Sequence, residues 1–271
     1  MRFADLHTHT HHSDGTRSPK EVVDVARAHG IEILAISDHD NVAAYFDIKT
    51  YADERGVTLV PAIELSCGHE GIDVHVLAYA FDPQDAQIEK RLRRFRETRQ
   101  HRGHAIAERL GALGYDIDAA RLDELAAGGA MGRPHVARAL VERGYVASVS
   151  EAFDKLLGTG KPGYVEKERF SVEEAVALIH RAGGLTSVAH PTLYPKHETL
   201  IPRLLDLGVD AIEVMHPDVN KPDRQRYTKL AHERGKFITG GSDDHGKVKT
   251  VETLGTVRVS EDLIRPILER L

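Results

Sequence analysis

A chain of 271 residues is long enough to bury one large α/β core, or one such core carrying an inserted domain. Charged residues make up 29% and the net charge is −6, which excludes a global basic field drawing the protein onto nucleic acid or an anionic membrane. The lone Cys67 excludes an internal disulfide framework, and neither a run of about 18 apolar residues nor the basic-then-apolar start of a signal peptide is present, so a cytoplasmic location without membrane attachment is expected.

Short apolar runs alternate with longer segments of helical period, the pattern of βα units around a largely parallel sheet. RFADLH (2–7) reads as the first strand and is followed by HTHHSDG. SPKEVVDVARAHG (18–30) has a Ser cap, a proline at its first turn and a terminal glycine, and so reads as a helix. EILAIS (32–37), TLVPAIEL (58–65) and DVHVLAYA (73–80) are the next strands. From about residue 86 to 157 strands disappear, and EKRLRRFRETRQHRGHAIAERLGALG, ARLDELAAG, PHVARALVERG and SEAFDKLLG are all helical in pattern. This block is expected to be an insertion (86–157) capping the rim of a barrel built from 1–85 and 158–271. Its basic run RLRRFRETRQHR suits RNA contact, yet Leu92, Phe95 and Ile106 on the same helix suit a solvated face packed on the barrel. SVEEAVALIHRAGG (171–184) repeats the helix grammar, with Ser171 as cap and Glu174 three residues on. LTSVAH (185–190), DAIEVM (210–215), KFITGG (236–241) and LGTVRV (254–259) complete the strands.

In parallel βα folds the reactive groups collect at the carboxyl ends of strands. His7 and His9 end or follow the first strand, Asp38, His39 and Asp40 the second, and Glu64 closes the third. His75 sits in the fourth, His190 ends LTSVAH, His216 follows DAIEVM, and Asp243, Asp244 and His245 follow KFITGG. Each has an ordinary reading alone: HxH is a polar strand end, SDHD a helix cap, His75 a hydrogen-bonded core histidine. Glu64 is harder to dismiss, because a carboxylate in an apolar strand is costly to bury without a cation. Together the residues point to a polynuclear site of imidazoles and carboxylates. A purification tag would be an uninterrupted histidine run, a zinc finger needs cysteine pairs, and no G-x-S-x-G or P-loop pattern is present.

DLHTHTHHSDG, ISDHD, AIELS, VHVLAY, VAHP and GGSDDHG, in that order, resemble the motifs of the PHP (polymerase and histidinol phosphatase) family of metal-dependent phosphoesterases, over residues 3 to about 259. GRPHVARALVERG (132–144) and GTGKPGYV (158–165) resemble its subgroup of nucleoside 3′,5′-bisphosphate phosphatases and 5′-3′ exoribonucleases of short RNA. The resemblance implies a distorted seven-stranded (β/α) barrel with a small helical insertion, holding up to three ions. It assigns His7, His9, Glu64 and Asp243 to one ion, a bridging Glu64 with His75 and His190 to a second, and Asp14, His39 and His245 to a third. It selects Asp243 over Asp244 and gives His11 and His12 no role. Mn²⁺ is the first expectation, with Fe²⁺ or Zn²⁺ also suited to such a donor set.

The implied nucleophile is a metal-bound hydroxide held by Glu64, Asp243 and His190. His216 lies outside the usual ligand set, and leaving-group contact and a structural role stand level. In a net-acidic protein a doubly phosphorylated nucleotide needs local cations, and the resemblance favours Arg133, His135 and Lys161 over their reading as ordinary loop charges. The expected activity is removal of the 3′-phosphate from nucleoside 3′,5′-bisphosphates, with exonuclease action on short 5′-phosphorylated RNA beside it. A histidinol-phosphate or other small phosphomonoester phosphatase shares the metal centre. A non-catalytic metal-binding module would be expected to have lost ligands, and an amidohydrolase to carry a strand lysine. No stable protein partner is inferred.

Overall fold

The structure is a computed structural model and describes residues 2–126, 131–166, 170–248 and 252–271. It divides into two compact units, Met1–Glu89 with Arg169–Leu271, and Lys90–Glu168. Among the described residues no helix is long and apolar enough to cross a membrane.

The first unit is α/β. Its strands are β1 Phe3–Asp5, β2 Ile33–Ala35, β3 Thr58–Val60, β4 Ala62–His69, β5 Ile72–Tyr79, β6 Phe170–Ser171, β7 Leu185–Val188, β8 Ala211–Met215, β9 Phe237–Gly240 and β10 Val259–Ser260. They form two sheets, ordered β10-β1-β2-β3 and β6-β4-β5-β7-β8-β9. Backbone bonds between the sheets join them on both sides. Leu6 N–H donates to Gly240 O (3.2 Å), Asp243 N–H to His7 O (2.8 Å) and His9 N–H to Asp244 O (2.9 Å). On the other side Asp40 N–H donates to Glu64 O (3.0 Å) and Glu64 N–H to Asp38 O (3.3 Å). With β3 and β4 counted as one strand broken at Pro61, which has no N–H for the ladder, the ring has seven strands.

Sequence alternation explains the layers. On β2, Ile33 and Ala35 join the cluster of Ala4, Leu6, Leu77 and Tyr79, while Leu34 on the opposite face packs with Val22, Ala26 and Ile48. The last three come from helices α1 (Pro19–Ala28) and α2 (Ala43–Glu54). α1 starts with the expected capping box, in which the Ser18 hydroxyl accepts from Glu21 N–H and the Glu21 carboxylate from Ser18 N–H.

Two expectations change. β5 is antiparallel to both β4 and β7, so the series of parallel units is interrupted. The reversal is a two-residue hairpin at Glu70 and Gly71, both at positive φ (48° and 83°), as a type I′ turn requires. LGTVRV is mostly a turn around Gly255 (φ 80°), and only its last residue, Val259, joins β10.

The second unit is helical: α3 runs Ala86–Gly111, followed by α4 (Ala119–Leu125), α5 (Arg133–Glu142), α6 (Val149–Ala152) and a π-helical turn Phe153–Leu157. Ile106, Leu110, Leu122, Val136, Leu140 and Leu157 form its core. The segment after Gly158 packs on this core: a Cβ at Gly163 would meet the Leu110 side chain at 2.7 Å.

At Gly241 a Cβ would sit 2.3 Å from His7 N and 2.4 Å from His7 Cβ. Gly241→Ala is therefore expected to lose about 2 kcal/mol in denaturant unfolding. Gly111→Ala, with open space around it and a helical backbone, should leave the midpoint unchanged or raise it.

Candidate metal centre

Seven imidazoles and three buried carboxylates meet at the carboxyl-end rim of the ring. His7, His9, His190, His216, Glu64, Glu213 and Asp243 are buried, and His39, His75 and His245 are partly so. His75 reaches the rim because its strand is reversed, which puts the amino-terminal half of β5 level with the carboxyl ends of its neighbours.

Glu64 is the centre of the cluster. Its Oε2 lies 3.2 Å from His7 Nε2, His9 Nε2 and His39 Nδ1. Its Oε1 lies 2.8 Å from His75 Nδ1 and 3.1 Å from His190 Nε2. Asp243 Oδ1 stands 3.3 Å from the Nε2 atoms of both His7 and His9. Asp14 bridges to His245 Nε2 (3.3 Å) and His39 Nε2 (3.6 Å). Among the described residues, ligand atoms close enough to share an ion occur as His7, His9 and Asp243; as His7, Glu213 and His216; as His39, Glu64 and His75; and as His9, Asp14, His39 and His245. His7, His9 and His39 thus each stand in two groups, whereas the family resemblance gave each a single ion, and His190 stands in none of them, its Nε2 meeting Glu64 Oε1 at 3.1 Å.

The partners of the outer ring nitrogens fix which nitrogen faces inward. His7 Nδ1–H donates to Glu213 Oε1 (2.9 Å), leaving the Nε2 lone pair toward Glu64 and Asp243. His245 Nδ1–H donates to Asp243 O (3.0 Å), leaving Nε2 toward Asp14. His216 is the reverse case. Its Nδ1 accepts from Asp218 N–H (3.1 Å), so Nε2 carries the hydrogen and faces Asp243 Oδ2 at 3.7 Å. In this arrangement His216 is a donor toward Asp243, although it also lies close enough to His7 and Glu213 to share an ion with them.

The electrostatics call for cationic charge. Burial alone would lower the pKa of His9, but the carboxylates of Asp243, Glu64 and Asp14 outweigh it and lift it to about 10. His7 is raised well above its usual value against the same burial, by Glu213, Glu64 and Asp243. At His39 burial wins over Glu64 and Asp14 and lowers the pKa to about 3, so this ring is neutral. Burial would raise Glu64, Asp243 and Asp14, yet the surrounding imidazoles push all three below the ordinary carboxylate range. His39 Nδ1 and His190 Nδ1 are buried without a hydrogen-bond partner. Imidazole nitrogens facing ionised carboxylates at 3.2–3.3 Å are, once an ion displaces the protons of His7 and His9, the donor set that divalent Mn, Fe or Zn takes.

Neighbouring acids divide the labour. Asp38 accepts from Thr10 N–H (2.7 Å), the Thr10 hydroxyl (2.6 Å) and the Ser13 hydroxyl (2.6 Å), holding the loop that carries Asp14. Asp40, at φ 51°, accepts from Ser66 N–H. Asp244 turns away from the cluster, pairs with Arg17 and accepts from Gly246, Thr253 and Leu254 N–H. His12 bonds to Asp47 (2.7 Å) and His11 is exposed, both outside the ligand groups.

Glu213 is a site residue that the motifs leave out. Buried in β8, it receives His7 Nδ1–H on one oxygen and His190 N–H (2.7 Å) on the other. A carboxylate inside the apolar run DAIEVM is the same signal that marks Glu64.

In the helical unit, the Arg133 guanidinium lies over the Phe153 ring (5.5 Å) and donates to Leu157 O (3.3 Å). His135 is buried, and its Nδ1 accepts from Gly132 N–H (3.0 Å), closing the amino end of α5. Lys161 is exposed beside Gly158. A cavity of about 790 Å³ between Tyr45, Lys49, Leu59, Phe81 and Arg270 contains none of the rim histidines and mixes Lys49 and Arg270 with Asp53 and Asp82. Its chemistry is that of a surface cleft.

The PHP domain family matches residues 5–166. The chain is 33% identical to a 3′,5′-nucleoside bisphosphate phosphatase of Chromobacterium violaceum, over 100% of this chain and 97% of the relative. It is 32% identical to a 5′-3′ exoribonuclease of Haemophilus influenzae, over 98% of each. Its fold matches a solved Bifidobacterium adolescentis structure assigned as a metal-dependent phosphoesterase, with a TM-score of 0.85 and 31% identity over 98% of this chain and 96% of that one.

Glu213→Gln puts an amide NH₂ against either His7 Nδ1–H or His190 N–H, two donors facing each other. It is expected to weaken Mn²⁺ binding in calorimetric titration by roughly 10- to 100-fold with the fold retained. Asp244→Asn should do the opposite, lowering the melting midpoint by removing a buried charge pair while leaving the bound-metal count unchanged.

Proposed function

We propose that this chain, which belongs to the PHP domain family, is a metal-dependent phosphoesterase removing the 3′-phosphate from nucleoside 3′,5′-bisphosphates. The observation that carries the reading is the convergence of five imidazoles on the single buried carboxylate Glu64, with Asp243 and Asp14 alongside. Divalent ions held there supply the Lewis acidity that activates water and offsets phosphoryl charge.

The residues then have separate tasks. His7, His9 and Asp243 with Glu64 hold one ion; Glu64, His75 and His190 hold a second; Asp14, His39 and His245 hold a third, with the His9 ring 4.1 Å from that of His245. Glu213 orients His7 and the backbone of His190. His216, held as an Nε2–H donor beside Asp243, is placed to give a hydrogen bond to a phosphoryl or leaving-group oxygen. Mn²⁺ is the first metal to test. Arg133, His135 and Lys161, all in the helical unit, are the proposed phosphate-recognition residues, Arg133 by its N–H donors.

Exonuclease action on short RNA is the second reading, supported by the 32% identity to a 5′-3′ exoribonuclease over 98% of the chain. C–N hydrolysis of the amidohydrolase type is disfavoured by the strands themselves, because none of the seven ring strands carries a lysine to bridge two metals.

Phosphate release from adenosine 3′,5′-bisphosphate with Mn²⁺, abolished by chelation and restored by Mn²⁺, is the expected result; no release from it, from histidinol phosphate or from a short 5′-phosphorylated RNA would refute the phosphoesterase reading. Arg133→Ala should raise KM for the bisphosphate on the order of tenfold or more, as loss of a charge-assisted hydrogen bond does, and leave KM for an aryl phosphate nearly unchanged. Equal effects on both substrates would remove Arg133 from recognition.

A further inference from the structure

The ladder between β5 and β7 is interrupted where the site begins. Val76 pairs with Val188, and Ala189 N–H still donates to His75 O at 3.1 Å. The next residue, His190, takes φ 26° and turns the chain away. An antiparallel rung of this kind consists of two bonds, and the second should take the N–H of His75. That N–H donates instead to the hydroxyl of Tyr194, at 2.9 Å. The same oxygen lies 3.4 Å from His75 O, a weaker contact for its own hydrogen. A side chain four residues beyond His190 thus stands in for a missing strand carbonyl.

Tyr194 also touches the second histidine of the same group. It is buried, and its ring lies 5.5 Å from the His190 ring at 51°. Both histidines reach one atom, Glu64 Oε1, at 2.8 Å from His75 and 3.1 Å from His190. Tyr194 is delivered by the short turn Pro191–Leu193, in which the Thr192 hydroxyl donates to Asp218 O (3.2 Å). The ligands on the β1 side are held by other means, His7 by Glu213 and the strand by its bonds to Gly240, Asp243 and Asp244.

We propose that Tyr194 is a positioning residue for the ion bound by Glu64, His75 and His190, its hydroxyl setting the affinity of that one site. The inference rests on reading the rim as a metal centre. Without the oxygen, a partly buried N–H in the amino-terminal half of β5 has no acceptor, and that half of the strand relieves this by shifting. The shift carries His75 Nδ1 off Glu64 while leaving the groups around His7, His9 and His245 in place.

Tyr194→Phe keeps the ring and removes only the oxygen, and Mn²⁺ binding is measured by calorimetric titration together with metal content after gel filtration. One Mn²⁺ per chain should weaken by on the order of 10- to 100-fold while the others keep their affinity, and excess Mn²⁺ should restore full loading. His75→Ala, which removes a ligand of the same ion, should weaken that step too. Unchanged affinity at every step would overturn the proposal, and so would a uniform weakening of all ions accompanied by a lower melting midpoint, the mark of a general structural role. If the wild-type chain loads Mn²⁺ as described but hydrolyses no phosphate ester, the functional reading fails and this inference stands. If His75→Ala leaves every step unchanged, the assignment of the ion falls and the inference with it.

Discussion

The rim is organised by the burial of Glu64. A carboxylate 1% exposed between the apolar residues Ala62, Ile63 and Leu65 carries a desolvation cost that only close cationic charge or several donors can offset. Five imidazole nitrogens within 3.2 Å surround it, delivered by β5 and the loops after β1, β2 and β7. That gathering requires all these chain segments to end at one level, which the seven-strand ring provides. The reversed β5 is no exception to this, because it presents its first half at the same height.

The strand ends bend sharply at the same places. Asp40, His190 and Asp243 adopt left-handed backbone conformations, with φ of 51°, 26° and 49°. Such residues cost of order 1–3 kcal/mol each unless the surroundings hold them. Each is held here: Asp40 by Ser66 N–H, His190 by the Glu213 carboxylate on its own N–H, and Asp243 by donation of its N–H to His7 O. In each case the bend separates neighbours with different tasks. His39 faces the cluster while Asp40 ties β4, and Asp243 faces the cluster while Asp244 pairs with Arg17.

Much of this was legible in the sequence where a residue contradicts its surroundings. Glu64 in PAIELS and His75 in DVHVLAY stand out among apolar neighbours, and the capping boxes of the helices beginning at Pro19 and Val172 follow from Ser18/Glu21 and Ser171/Glu174. Glu213 carries the same contradiction in DAIEVM, yet it belongs to no motif, and its task depends on facing His7 across the ring, 206 positions away. The reversal of β5 was hidden because the turn that causes it, Glu70-Gly71, sits within CGHEGID, a stretch with no apolar alternation to mark strand ends. The same limit applies to GRPH: a Gly followed by Arg-Pro announces a helix start, but only in the folded chain is His135 Nδ1 seen to close that start. Sequence reports which residue types are out of place; which atom of each is left for chemistry depends on partners distant along the chain.

Those distant partners also make the centre better suited to ions than to protons. A histidine with both nitrogens free can rotate and take up solvent when charge is missing. At His7 one nitrogen is committed to Glu213, and at His245 one is committed to the backbone of Asp243, so neither ring can turn its lone pair away from the carboxylates. Protons meet the demand only in part, since His9 and His7 are held above their ordinary pKa while His39 is driven below it by burial. A divalent cation coordinates the lone pairs and the carboxylate oxygens together, with no need for any ring to move. The same hydrogen bonds that complete the fold around the rim therefore remove the freedom by which a metal-free site would relax, and they couple metal loading to the stability of the ring itself.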